Sequence, residues 1–183
     1  MRNAAIFAAA VLLAGCGIKE PQTVTAESLS LAPGRSAAFP IEVDASRMNV
    51  PVRTGTAQCG GFTFPLDGAP AFEGAMRDAV AAAEPRPTPA RVRVIGDGIV
   101  PRFAFAPAGF AQPASQPTVL VTARVIVEPR NGPSRESAVQ WTGQASGNIG
   151  DFCGGLGYIV ADAYRDALRG LAGQVTERVR SAR

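Results

Sequence analysis

Two neighbouring segments in which apolar and polar residues alternate constrain the fold more than any other feature. Every second residue between positions 119 and 127 is apolar, and the same period places Val139, Trp141 and Ala145 on one side of the next segment. Because the side chains of a strand point alternately to its two faces, each segment is predicted to be a strand with one buried face. Residues 129–133 between them include Pro, Asn and Gly, which favour turns. The pair therefore predicts a long antiparallel hairpin whose apolar face, with Trp141, lies in the core.

Helical spacing is found in two further segments. A long helix is predicted over residues 156–179, where apolar residues recur every four positions. A shorter helix is predicted to begin near Asp67 or Ala69, with Asp67 as its cap and Pro70 in its first turn, and to end before Pro85. The apolar stripe of the shorter helix consists of Phe72, Met76, Ala79, Val80 and Ala83.

Shorter strands complete the predicted sheet. The segment around Pro40 also alternates, and Pro40 places it at a sheet edge because proline has no N–H to donate. The Gly-Asp-Gly sequence at residues 96–98 predicts a turn between strands at residues 91–95 and 99–105. The predicted order of elements is strands, a helix, antiparallel strands and a long helix. This order is typical of α+β proteins. We therefore expect a twisted antiparallel sheet with two helices packed on one face.

The N-terminus has the features of a secretory signal. Arg2 is followed by an apolar run over residues 4–14, which is shorter than the roughly 20 residues that a membrane-spanning helix needs. Leu13-Ala14-Gly15-Cys16 then resembles the lipobox of bacterial lipoproteins. The resemblance implies that Cys16 is lipidated, with palmitate among its acyl chains, and becomes the first residue of the mature protein. The alternative is an ordinary signal peptide that happens to contain a cysteine.

The lipobox resemblance also implies a domain organisation and a location. We expect a signal peptide over residues 1–15, a lipidated tether over residues 16–23 and a single α+β domain over residues 24–183. Gly17 follows the lipidated cysteine, where an aspartate tends to retain lipoproteins at the inner membrane. The expected location is therefore the outer membrane, with the domain facing the periplasm and anchored in the membrane through Cys16. The inner membrane is the alternative.

Two cysteines remain after Cys16. Cys59 and Cys153 are each followed by two glycines. Because the periplasm is oxidising, we expect them to form a structural disulfide, which would close a loop of about 95 residues. A redox pair, a metal site and two free thiols are the alternatives. Redox pairs usually lie close together as C-x-x-C, and zinc takes four ligands.

Composition removes several kinds of chemistry. The chain contains no histidine, which excludes His-dependent triads, the usual zinc sites and imidazole pH switches. A net charge of +3 is too small and too dispersed for a protein that binds nucleic acid. Asp67, Asp97 and Asp151 are candidates for a glycosidase-like carboxylate pair, but turn formation is the simpler interpretation. We therefore predict no catalytic, cofactor-binding or metal site, and no enzymatic activity.

Three other side chains have both a functional and a structural interpretation. Arg91 and Arg93 share one strand face and are candidates for binding the phosphates of a lipid or polysaccharide, whereas a solvated strand face is the simpler interpretation. Trp141 is the only tryptophan, and carbohydrate stacking is the alternative to its predicted place in the core.

The order of elements, with a hairpin before a C-terminal helix, resembles that of the lipopolysaccharide-assembly lipoprotein that plugs an outer-membrane barrel. The likeness is topological, Cys59 and Cys153 have no counterpart in it that we can assign, and no functional residue is carried over. We expect a non-enzymatic, membrane-anchored accessory or assembly subunit that binds another envelope protein. The alternative is a binding module for a lipid, glycan or other amphiphile held between the helices and the sheet, and a histidine-free hydrolase is a third hypothesis.

Overall fold

Short strands come first along the chain, and the long strands and the longer helix come last. The structure is a computed structural model, and it describes residues 22–23, 36–53, 63–106, 114–148 and 155–182. The elements in chain order are β1 (Gln22–Thr23), β2 (Ile41–Asp44), β3 (Asn49–Arg53), β4 (Thr63–Asp67), α1 (Ala69–Ala82), β5 (Arg91–Ala106), β6 (Ala114–Glu128), β7 (Arg135–Gln144), β8 (Gly147–Asn148) and α2 (Leu156–Ser181).

The main sheet is built on three long antiparallel strands. β5, β6 and β7 are adjacent in that order, so the predicted hairpin is confirmed as β6 and β7. β8 pairs with the first residues of β6. β2 forms the other edge and runs parallel to β5, so the expectation of a purely antiparallel sheet is wrong at this strand. The chain passes through β3, β4 and α1 between β2 and β5, which is the long connection that a parallel pair requires.

A second, smaller sheet has the order β1, β4, β3. β3 and β4 are antiparallel, and β1 pairs in parallel with the last two residues of β4, Leu66 and Asp67. The end of the segment predicted to be a tether therefore joins the small sheet at residues 22–23.

Both helices pack on one face of the main sheet, and the α+β fold class is confirmed. The buried face of β6 carries the alternating apolar residues, and it packs against α2. The two helices run parallel to each other. Tyr164 of α2 donates a hydrogen bond of 2.9 Å to the backbone oxygen of Gly68 at the start of α1. Near the other end, Thr176 of α2 donates one of 3.0 Å to the oxygen of Ala79.

The predicted turn at residues 96–98 is wrong. β5 continues through these residues, and its pairing with β6 shifts register between Gly96 and Gly98. A Cβ on Gly96 would lie 2.5 Å from Cε of Met48, so the buried side chain of Met48, the residue before β3, packs directly on the strand at this position. Glycines suit a bulge inside a strand as well as a turn between two strands, and the local sequence does not separate these cases.

The predicted cap of α1 is also wrong. Gly68 occupies the cap position and has no side chain to offer, and Asp67 makes no capping hydrogen bond. The N–H of Ala69 instead donates to Oδ1 of Asn49 at 3.0 Å. A residue in β3 therefore satisfies one of the unpaired N–H groups at the start of this helix.

Trp141 lies on the predicted face of β7, but it is not in the core. It is 42% exposed. β7 is the last strand of the sheet, so one side of the indole faces solvent even though the other contacts α2. The expectation that Trp141 is buried is therefore corrected.

Several sequence predictions fall outside the described residues. They concern the lipobox with Cys16, the cysteines Cys59 and Cys153, and Asp151. In the described part of the chain, no helix is both long enough and apolar enough to cross a membrane.

Candidate functional site

The outer side of β7 pairs with no other strand among the described residues. The N–H of Ala145, just after β7, points inward and donates to the oxygen of Pro117. The N–H of Gln144 points the other way and donates to Asp166 of α2 at 3.0 Å. Because backbone groups alternate in direction along a strand, every second residue of β7 presents its N–H and C=O groups outward. This free edge of β7 is formed by Glu136, Ala138, Gln140 and Thr142.

The opposite edge strand, β2, offers little to another strand. It is four residues long, and Pro40, which precedes it, has no N–H. Arg77 of α1 donates to the oxygen of Ile41 at 3.2 Å and also pairs with Glu73 at 2.8 Å. Short length and a covering charged side chain are two ways in which proteins block strand edges. In the described part of the main sheet, two long stretches therefore lack a neighbouring strand on one side: the outer side of β7, and residues 96–106 of β5 beyond the pairing with β2.

An exposed aromatic side chain lies on β7. Trp141 rests on α2 at Gly170, where a Cβ would lie 2.2 Å from the indole nitrogen. Glycine is therefore required for the ring to lie against the helix. The exposed part of the indole provides apolar area beside the free edge, and aromatic residues of this kind are enriched in protein interfaces.

A groove opens between the start of β7 and the end of α2. One part has a volume of about 150 Å³ and is lined by Val125, Val127, Arg135, Ser137, Arg178, Ser181 and Ala182. A second part of about 310 Å³ shares Val127, Arg135 and Ala182 with the first and extends to the turn between β6 and β7. There its walls are formed mainly by Pro87, Pro89, Pro129, Arg130, Asn131 and Pro133. We call the two parts together the arginine groove.

The three arginines of this groove are exposed and have no ion-pair partner among the described residues. They are Arg130, Arg135 and Arg178. Arg178 lies in the last turn of α2, where a positive charge complements the helix dipole. Arg130 lies in a turn and Arg135 begins a strand, so the dipole does not account for them. A guanidinium group can bind a carboxylate or phosphate through two parallel hydrogen bonds. The arrangement therefore suits an anionic ligand.

Three arginines on the uncovered face of the main sheet, Arg91, Arg93 and Arg124, have acidic partners, whereas Arg102 on that face has none among the described residues. Arg91 and Arg93 both pair with Glu42, at 3.1 and 3.3 Å. These pairs are the arrangement of a solvated strand face, the simpler of the two interpretations drawn from the sequence.

The candidate carboxylates are not brought together. Asp97 accepts from Nε of Arg124 at 3.0 Å on the uncovered sheet face, and this hydrogen bond raises the pKa of Arg124. Asp67 lies in the small sheet, near the phenol of Tyr164. Burial raises the pKa of that phenol, and the charge of Asp67 raises it further. Among the described residues, no three acidic or cysteine side chains lie close enough together to hold a metal ion.

Sequence patterns did not point to the free edge or to the arginine groove. The groove arginines come from a turn, a strand and a helix, so no local spacing connects them. The alternation in β7 indicates a strand, but it does not indicate which strand ends the sheet. The one local signal is the pair Arg178 and Arg180 in the last turn of α2, which the helix dipole explains equally well.

Comparisons with known proteins add little. No protein-family model and no curated protein matches this chain. Among solved structures, a minor lipoprotein from Acinetobacter baumannii has 11% sequence identity and a TM-score of 0.40, and the match covers 76% of this chain and 90% of that one. At this level of similarity the match carries no argument about fold or function.

Proposed function

We propose that this protein is a non-enzymatic lipoprotein, anchored through Cys16 in the outer membrane and facing the periplasm, that serves as an accessory subunit of an envelope protein complex. The observation that carries the proposal is the free edge of β7 with Trp141 beside it. A partner protein would bind there by adding a strand to the main sheet.

An open strand edge has a clear use in protein recognition. Its outward N–H and C=O groups hydrogen-bond to the backbone of any extended segment, and the neighbouring side chains select among segments. Soluble proteins usually block such edges, because an open edge invites aggregation. β2 is blocked in this way, whereas no described residue covers positions 136–142 of β7 as a strand. The exposed Trp141 on the same strand favours a binding role for β7.

The alternative of an amphiphile held between the helices and the sheet has less support. That space is filled by side chains with no solvent exposure, among them Phe72, Met76, Leu168 and Leu171. The clefts of the arginine groove lie instead at the surface, beside the end of α2.

Photo-crosslinking in living cells tests the proposal. A photo-reactive amino acid replaces Gln140 on the free edge, and a matched control carries it at Ser46, an exposed residue that follows β2. We expect Gln140 to crosslink one envelope protein that Ser46 does not. The crosslink should be lost in Cys16→Ala, which should also fail to incorporate labelled palmitate.

An edge-blocking variant makes the test specific to strand addition. The N–H of Ala138 points away from β6, so Ala138→Pro removes an outward donor and leaves the pairing with β6 intact. We expect this variant to fold and to lose the crosslink from Gln140. Equal crosslinking from Gln140 and Ser46, or an unchanged crosslink in Ala138→Pro, would contradict the proposal.

A further inference from the structure

We infer that the strand which joins β7 is acidic: an extended polypeptide segment whose carboxylates bind Arg135 and Arg178 in the arginine groove. This inference rests on the proposed function, because it names the chemistry of the segment that binds at the same edge.

The groove and the free edge form one continuous site. Arg135 and Ser137 belong to β7 and line the groove from the sheet side, while Arg178 and Ser181 line it from α2. A strand added to β7 would run about 4.8 Å from it, with alternate side chains on the helix side of the sheet. The side chains on that side would enter the groove at Arg135 and Arg178.

Charge selects the ligand. The groove arginines have no ion-pair partner in the described part of the chain, whereas Arg91, Arg93 and Arg124 are all paired with acidic residues. An incoming carboxylate would therefore form charge-assisted hydrogen bonds without breaking an existing ion pair. A basic segment would meet repulsion from three guanidinium groups.

The shape of the groove favours a polypeptide over a small anion. It extends from the end of α2 past Arg135 to the turn between β6 and β7, and four prolines contribute rigid apolar walls to its outer part. A free phosphate would use the arginines but neither the proline walls nor the backbone groups of β7. An extended segment uses all three.

The position of the groove separates it from the proposed anchoring membrane. β1, which follows the predicted lipidation site, pairs with β4 beside the start of α1. The arginine groove lies at the other end of the parallel helices, and α1 alone, with 14 residues, separates the two ends by about 21 Å. Lipid headgroups of the anchoring leaflet would therefore lie near β1, at the end of the domain opposite the arginine groove.

Binding of defined peptides to the purified full chain in detergent tests the inference. The probes are two blocked octapeptides, one alternating Thr and Glu and the other alternating Thr and Lys. Calorimetry at low salt measures affinity, and the fluorescence of Trp141 reports occupation of the edge. We expect the acidic peptide to bind, the basic peptide not to bind, and the affinity to fall as salt is raised.

Matched variants assign the binding to the groove. Arg135→Gln combined with Arg178→Gln should lower the affinity for the acidic peptide by about tenfold or more, because two charge-assisted contacts are lost. Arg102→Gln removes an exposed arginine on the uncovered sheet face and should change affinity by less than about twofold. Ala138→Pro should also weaken binding. Equal effects of the groove and Arg102 variants would overturn the inference.

Two further probes identify other ligands. The probes are inorganic phosphate and vesicles containing phosphatidylglycerol. The inference would be overturned if either of them binds through Arg135 and Arg178 while the acidic peptide does not bind. The crosslink from Gln140 separates this inference from the proposed function. If the crosslink survives in the Arg135 and Arg178 double variant, the proposed accessory role is retained and the inference of an acidic segment is contradicted.

Discussion

Replacing Gly143 by alanine tests how closely α2 lies on the sheet. A Cβ at this position would lie 2.1 Å from the oxygen of Ala163 and 2.2 Å from the nitrogen of Ala167. Both atoms belong to the backbone of α2, so no side-chain rotation relieves the clash. Normal contact would require the helix to move by about 1 Å, and the core packing along it would be lost with that shift.

The size of the effect follows from these distances. Overpacking a core typically costs about 1–3 kcal/mol, and a clash with helix backbone lies at the upper end. Alanine also restricts the unfolded chain, which returns about 0.5–1 kcal/mol. We expect Gly143→Ala to lower the free energy of unfolding by about 2–2.5 kcal/mol, and Tm by about 5–10 °C.

Gly173 provides the matched control. It lies on the exposed side of α2, and a Cβ there would meet no atom within 4 Å. Gly173→Ala should therefore raise the free energy of unfolding by up to about 1 kcal/mol, because alanine favours the helix. Urea unfolding followed by circular dichroism measures both variants. A Gly143→Ala midpoint at or above that of the wild type would refute the direct contact between β7 and α2.

Three further substitutions test local features. Tyr164→Phe should lose about 1 kcal/mol at pH 7, because the buried hydroxyl loses its hydrogen bond. Burial raises the pKa of Tyr164 above that of a tyrosine in the unfolded chain, so the wild-type free energy of unfolding does not depend on this group below pH 10. Above pH 10 the unfolded chain loses the phenol proton first, and the free energy of unfolding should fall by about 1.4 kcal/mol per pH unit. Urea titrations at several pH values should show this slope in the wild type and not in Tyr164→Phe. Asn49→Ala should cost about 1 kcal/mol in urea unfolding as a lost helix cap, and a larger cost for Asp67→Ala would contradict this assignment. Gly170→Ala should displace the indole of Trp141 and shift its fluorescence to the red, and an unchanged spectrum would show that the ring does not lie on the helix.

Features with a local period could be predicted from the sequence, and features that depend on distant partners could not. The hairpin and both helices follow from the spacing of apolar residues. An element that buries one face shows the same apolar period at any place in the fold, so its neighbours need not be known. The parallel pairing of β2 depends on where the chain returns after α1. The exposure of Trp141 depends on β7 being the last strand of the sheet. The alternation of apolar and polar residues in β7 does not indicate that position.

The candidate site follows the same division. Arg130, Arg135 and Arg178 are brought together by the hairpin turn and by the parallel arrangement of the helices. Whether an arginine has an ion-pair partner among the described residues depends on the assembled surface, since Arg91 and Arg93 are paired there and the groove arginines are not. Charge counts alone, with 18 basic and 15 acidic residues, give no sign of this difference.

The distance from the anchor to the groove limits where the partner can bind. In the proposed arrangement, residues 16–21 connect the lipidated cysteine to β1 and span at most about 20 Å when fully extended. α1 adds about 21 Å along its 14 residues between the end near β1 and the end near the groove. The acidic segment would then meet the arginine groove within about 40 Å of the membrane surface. Shortening the tether should therefore weaken the crosslink from Gln140 in cells and leave peptide binding by the purified protein unchanged, because only the first depends on reaching a partner from the membrane.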